Sequence, residues 1–223
     1  MNATDLSEIP LRARKRARTR LALVSAMLER LCERTIEEIQ VSELVEAAEI
    51  SQGTFFNYFP SKADLLTHFI QLWSLRMCAV ARRIREKTDG ALAAVEALFV
   101  ATANEVAAHP KVMLEIIAHQ ARMPTDLQLE PIEPAERMLF LPGEDDVESL
   151  SDGGLGELLP PLLREAIANG ELPASCDADM LTLAVASVFF GVPLLVATRR
   201  PESIAFLYRL ELALVWAGAR SSA

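Results

Sequence analysis

Cysteine is nearly absent from the 223 residues. Only Cys32, Cys78 and Cys176 occur, far apart and without a Cys-x-x-Cys pair. That excludes a disulfide framework and offers no zinc spacing, and the three read as small buried hydrophobes of a reduced compartment. Aromatic residues make up 6% of the chain and runs of β-branched residues are few, whereas Ala and Leu abound. This balance speaks against a sheet and for an all-α fold. No apolar run follows the charges at the N-terminus, so no secretory leader is expected, and the expected location is cytoplasmic.

The motifs of catalysis are missing as well. His68, His109 and His119 are not at metal-ligand spacing and have no acid paired with them locally. There is no Gly-x-Ser-x-Gly elbow, phosphate-binding loop or dinucleotide fingerprint. Gly153-Gly154-Leu155-Gly156 is a loop without a preceding strand. The chain is therefore expected not to be an enzyme, and to need no cofactor or metal.

What is present is charge, unevenly spread. The net charge is −9, yet residues 1–62 hold nine Lys/Arg against nine Asp/Glu, so the whole deficit falls on residues 63–223. Arg12, Arg14, Lys15, Arg16, Arg18 and Arg20 follow one another with no acid among them. Screening limits each charge's reach to roughly 8–10 Å, so a basic patch can meet a polyanion despite an acidic body. The run reads as phosphate or minor-groove contact, or as a solvated helix start. For Arg82, Arg83, Arg85 and Lys87 a solvated face is the default. With 51% hydrophobic residues a sizeable core can be buried.

Apolar residues recur at Leu21, Val24, Leu28 and Leu31, which predicts a first helix, with the arginines upstream as an exposed arm or first turn. Val41–Ala48 predicts a short second helix. Ser51 caps a third through about Asn57, and Pro60 ends it. Ser61-Lys62-Ala63-Asp64 is a capping box for a long fourth helix to about Lys87. Further helices are expected over 91–108, from Pro110 to about 122, from Leu155 to Asn169-Gly170, over 177–198 and over 203–220. Residues 124–154, rich in Pro, Gly and acids from Pro124 onward, read as a long irregular insertion with a helical turn at 135–141. The charge-free run Leu181–Thr198 is at the lower limit of a spanning helix, about 18–20 residues, but contains Gly191 and Pro193. It is read as a buried bundle or dimer helix, with no membrane partner expected.

One stretch stands out in a chain so poor in aromatics: ISQGTFFNYFPSK, residues 50–62, holds three phenylalanines and a tyrosine. Two short helices joined by a three-residue turn, the second opening Ser-Gln-Gly-Thr, make a helix-turn-helix. Small residues at the second helix's start let its backbone approach a surface, where Gln52 and Thr54 offer donors and acceptors. Tyr58 and Lys62 are candidates for phosphates. Phe55 and Phe59 are expected to wedge the helix in place.

VSELVEAAEISQGTFFNYFPSKADLL, residues 41–66, resembles the DNA-binding signature of the TetR family of transcriptional regulators, and the resemblance is dense over about 18–66. It implies that Gln52, Gly53 and Thr54 meet bases and backbone, with Ser51 at the same helix start and Asn57 reaching either. Tyr58 and Lys62 would hydrogen-bond phosphate, Ser42 would contact phosphate from the supporting helix, and Arg14 and Arg18 belong to the basic arm. Four positions depart from the family pattern. Phe56 lacks a tyrosine's hydroxyl, Gln40 replaces a threonine cap, and Thr35 replaces a glycine. Glu49 replaces the turn glycine, at about 1 kcal/mol if φ is positive there.

The resemblance also implies a homodimer on a palindromic operator, released by a small effector. The expected architecture is an N-terminal three-helix helix-turn-helix domain, residues 1–66, joined to a larger helical effector-binding and dimerisation domain, 67–223. The last two helices are the expected dimer face. Candidate pocket residues for a hydrophobic effector are Trp73, Met77, Asn104, Met113, Ile117, His119, Gln120, Phe140, Phe189 and Phe190. Core packing is the commoner role for each. An architectural DNA binder without effector and a membrane-associated helical adaptor are the competing readings.

Overall fold

A computed structural model describes residues 6–123 and 129–221, and contains no strand among them. Pro124 lies outside the described residues. Ten α-helices follow one another: α1 Leu11–Leu31, α2 Val41–Ala47, α3 Gln52–Tyr58, α4 Lys62–Arg85, α5 Ala91–Ala108, α6 Pro110–Gln120, α7 Pro134–Phe140, α8 Leu155–Ala168, α9 Ala178–Val196 and α10 Ile204–Ser221. The all-α class is as expected, and most ends fall within two residues of the predicted ones. The largest difference is at α1, which begins ten residues before Leu21 and takes the arginine run into the helix.

Packing divides the chain into two units, Met1–Arg76 with Glu115–Asp152, and Met77–Leu114 with Gly153–Ala223. The division is discontinuous in sequence and does not fall at residue 66. In the first unit α1, α2 and α3 gather around Leu23, Met27, Leu31, Ile39, Leu44 and Phe55, all fully buried. The insertion belongs to this unit, and its helix α7 packs on α1. It is an ordered segment where described. Arg137 holds it together by donating to the carbonyls of Ile132, Val147 and Leu150 and by pairing with Asp152 at 3.0 Å.

In the second unit α5 packs against α8 and α10, and α9 against the same two helices. The Glu171 carboxylate caps α5, accepting the Ala91 and Leu92 N–H groups at 2.7 and 3.1 Å after Gly90 (φ +94°). Arg85 is not merely solvated. It donates to the Gly90 carbonyl and pairs with Glu165 at 2.6 Å. Phe99, Phe189 and Tyr208 form an aromatic cluster with centroids 5.0–5.9 Å apart. The Tyr208 hydroxyl donates to the Phe189 carbonyl, and burial pushes its pKa well above the usual phenol range. Two helices of this unit, α5 and α9, are long and apolar enough to cross a membrane by length and composition.

Candidate nucleic-acid interface

The turn between α2 and α3 shows why two short helices keep a fixed angle. The Glu49 N–H donates to the Glu46 carbonyl and the Ile50 N–H to the Val45 carbonyl, closing α2 with the paired bonds of a Schellman motif. That motif puts its penultimate residue in the left-handed region, and Glu49 has φ +54°. The family's turn glycine is thus missing at a position that does require positive φ. At the other end of α2 Gln40 and Glu43 form a capping box, in which the Glu43 carboxylate accepts the Gln40 N–H at 2.8 Å. Arg34 grips the same carboxylate with two bonds of 2.7 and 3.2 Å. The Arg34 bonds, then the Gln40 N–H, hold the Glu43 pKa below the usual carboxylate range.

Helix α3 starts as expected, with Ser51 Oγ accepting the Thr54 N–H at 3.1 Å. The two hydroxyls also share a 2.9 Å bond. Phe55 and Phe59 are buried, the latter under the Arg20 guanidinium at 5.1 Å. Ser51, Gln52, Gly53, Phe56 and Asn57 are exposed and Thr54 is half-buried. Nothing in the fold demands a glycine at 53. Its φ is negative, and a Cβ there would meet no atom closer than Ser51 Oγ at 3.8 Å. Phe56, 51% exposed, adds a bare ring to this face.

The remaining sequence candidates divide. Ser42 is exposed at the start of α2, Arg18 is exposed, and Arg14 is half-buried. Tyr58 lies half-buried with the Arg16 guanidinium 5.8 Å above its ring. Lys62 behaves differently from expectation. Its ammonium donates to the carbonyls of Ile36 at 2.8 Å, Glu37 at 3.0 Å and also Ile39. These carbonyls end the turn after α1, where a cation offsets their aligned dipoles. All three donors are used inside the protein, so Lys62 clamps that turn.

Sequence reasoning missed a second support. Arg20, His68 and Glu136, from α1, α4 and α7, are all buried, with exposures of 4%, 3% and 0%. An Arg20 Nη2–H donates to His68 Nδ1 at 3.0 Å, so His68 Nε2 carries the hydrogen donated to Glu136 Oε1 at 2.6 Å. Arg20 Nε and Glu136 Oε2 face each other at 3.5 Å without a hydrogen bond. One turn earlier Arg16 pairs with Glu133 at 3.4 Å. Thus two arginines of the basic run are held by the acidic insertion, and Arg20 is core. The signal was there to read: Ala17, Arg20, Val24, Met27 and Leu31 follow each other at three- and four-residue spacing on one buried stripe.

The effector candidates are shared between the two units. Met77, Asn104, Met113, Phe189 and Phe190 belong to the second unit; Trp73, Ile117, His119, Gln120 and Phe140 belong to the first. Asn104 and Gln120 are exposed, Asn104 because it follows Ala103 just outside the buried stripe of α5. Neither lines an apolar interior. Phe189 is locked in the aromatic cluster, fully buried.

A polar, glycine-bearing face on a short helix, braced by buried aromatics behind a Schellman turn, defines a helix-turn-helix DNA-binding regulator. Residues 24–69 match the family described as bacterial regulatory proteins, tetR family. No curated protein matches it. Among solved structures it is similar to FadR of Thermus thermophilus, a TetR family transcriptional repressor in complex with lauroyl-CoA, at 22% identity and a TM-score of 0.62, over 88% of this chain and 92% of that one. FadR of Bacillus halodurans is similar at 19% identity and a TM-score of 0.66, over 91% and 96%. FadR of Bacillus subtilis in complex with stearoyl-CoA is similar at 18% and 0.59, over 89% and 98%. At these identities the likeness is one of fold.

Proposed function

We propose that the protein is a homodimeric transcriptional repressor that binds a palindromic operator and is released by a small hydrophobic effector. The observation that carries the reading is the exposed face of α3. Gly53 is unneeded by the fold and costs a helix about 1 kcal/mol relative to Ala, yet it leaves the backbone open to close approach between Gln52 and Thr54. In this reading Gln52 and Thr54 meet base edges in the major groove, Ser51 and Asn57 flank them, and Ser42 and Tyr58 take phosphates. Arg14 and Arg18 meet phosphate or the minor groove.

A two-fold partner is supported by the surface of α9 and α10. Met180, Leu183, Leu194 and Leu195 on one, with Phe206, Leu210 and Leu214 on the other, are exposed, Leu195 by 75%. An apolar face of this extent is rare on a free monomer, and two-fold pairing of both helices would bury it in a four-helix interface. The effector reading is supported by the acyl-CoA complexes of the two FadR proteins. Met77, Met113 and Phe190, and Trp73, Ile117 and Phe140, remain candidates for it. A ligand releases DNA by favouring a state whose reading heads are wrongly spaced, with coupling of about 1–3 kcal/mol.

An operator selected from random duplexes tests the assignment. Gln52→Ala should weaken operator binding by about 1–3 kcal/mol, the worth of one good base contact, and keep random-DNA affinity. Wild-type operator affinity in that variant would overturn the placement of α3, and sedimentation of the wild type as a micromolar monomer would overturn the dimer.

A further inference from the structure

The first unit contains a cavity of about 630 Å³ between the turn after α1, the start of α4 and the end of α6. Ile36, Ala63 and Met123 give it apolar walls, while Glu37, Asp64, Glu115, Lys62, Arg122 and His119 bring charge and polarity. The two permanent cations are committed. Lys62 is spent on its three carbonyls, and Arg122 pairs with Glu37 at 3.1 Å. Among the described residues neither Glu115 nor Asp64 has an ion pair. Glu115 Oε2 accepts only a long 3.4 Å bond from the Ile36 N–H, and Asp64 accepts the Ser61 hydroxyl at 2.7 Å.

His119 completes the pattern. The Thr67 hydroxyl donates to the Ala63 carbonyl at 3.0 Å, so towards His119 Nε2, 2.7 Å away, its oxygen accepts. The ring hydrogen is therefore on Nε2 and Nδ1 is left as an acceptor. Burial, then Arg122, lowers the His119 pKa, which keeps the ring an acceptor at neutral pH. Burial raises the Glu115 pKa, and Glu37 and Glu38 add to the rise; the Ile36 N–H and Arg122 offset it only in part. So the cavity offers two carboxylates and an imidazole lone pair, every one an acceptor, against apolar walls. Its complement is a donor-bearing cation on an apolar body. A metal ion is not that complement, because no three ligating side chains converge among the described residues.

We propose that this cavity binds a small organic ammonium ion with an apolar body, its N–H groups held by Glu115 and Asp64. The site goes beyond the hydrophobic effector proposed above and stands without it. It lies against the two segments that flank the helix-turn-helix, the turn into α2 clamped by Lys62 and the start of α4 after α3, so its occupant bears on the DNA-reading head. Full-length protein is titrated calorimetrically with phenethylamine, 2-phenylethanol and 3-phenylpropionate at pH 7.5. The amine should bind saturably, once per chain, at least tenfold more tightly than the alcohol or the acid. Glu115→Gln should weaken the amine at least tenfold. Ala63→Leu, at an exposed position that folds whatever the fate of the first variant, should block the site sterically. Equal binding of amine and alcohol, preference for the acid, or wild-type amine affinity in Ala63→Leu would each overturn the proposal. Failure here leaves the hydrophobic-effector and operator readings untouched, and these are measured separately.

Discussion

Lys62→Met separates two accounts of one lysine. It keeps the apolar stem and removes the ammonium that joins the carbonyls of Ile36, Glu37 and Ile39. A hydrogen bond to a charged group contributes about 1.5–3 kcal/mol. Three bonds from one half-buried ammonium do not add, since water replaces part of what each carbonyl loses; a net loss of about 2 kcal/mol follows. With a urea dependence of about 2 kcal/mol per molar, the unfolding midpoint should fall by about 1 M. The second assay is binding to random duplex DNA across a salt series. A phosphate contact would contribute about 0.9 to the logarithmic slope per protomer; a clamp contributes nothing, so the slope should equal that of the wild type. An unchanged urea midpoint together with a slope reduced by about 0.9 would refute the clamp and return Lys62 to the DNA.

Three further outcomes are expected. Glu49→Gly should stabilise by about 0.5–1 kcal/mol, since relief of the left-handed strain, about 1–2 kcal/mol, exceeds glycine's added unfolded entropy, and urea titration reads the difference. Glu136→Ala should cost about 3–5 kcal/mol, because it strands the Arg20 charge in the core; a midpoint within error of the wild type would remove the triad as a support. His119 has a pKa lowered from 6.5, so its contribution is full above that pH and is lost as pH falls through the folded value. His119→Gln should therefore flatten the fall in stability on acidification below 6.5, measured as urea midpoints from pH 8 to 5. Glu115, raised above 4.5, tilts the opposite way in its own window and is unchanged by that variant.

Much of the fold was legible because it is written in local rules. Ser51 as a cap, Pro60 as a stop, Ser61 with Asp64 as a box and Glu49 at a strained turn all act within four residues. What could not be read was action at a distance. Lys62 precedes an apolar run, and nothing nearby says that carbonyls 23–26 residues upstream will take its three donors. Arg20 sits in a run of arginines whose shared charge suggested one shared role, although its register put it on the buried stripe. Glu136, its partner, lies in a segment whose Pro and Gly content suggested irregular chain. Asn104 and Gln120 are exposed for a related reason: polarity beside apolar neighbours is equally the mark of a helix's outer edge.

The Arg20–His68–Glu136 cluster bears on how such regulators can be recombined. Exchanging reading heads between relatives usually means cutting at the end of the helix-turn-helix and joining the piece to a foreign body. Here a transplant ending at residue 66 would carry Arg20 away from both His68 and Glu136 and install an unanswered cation in its own core. The transferable piece is instead discontinuous, residues 1–76 together with 115–152. A recipient must accept three crossovers, one within α4, one within α6 and one after Asp152, to receive this reading head intact.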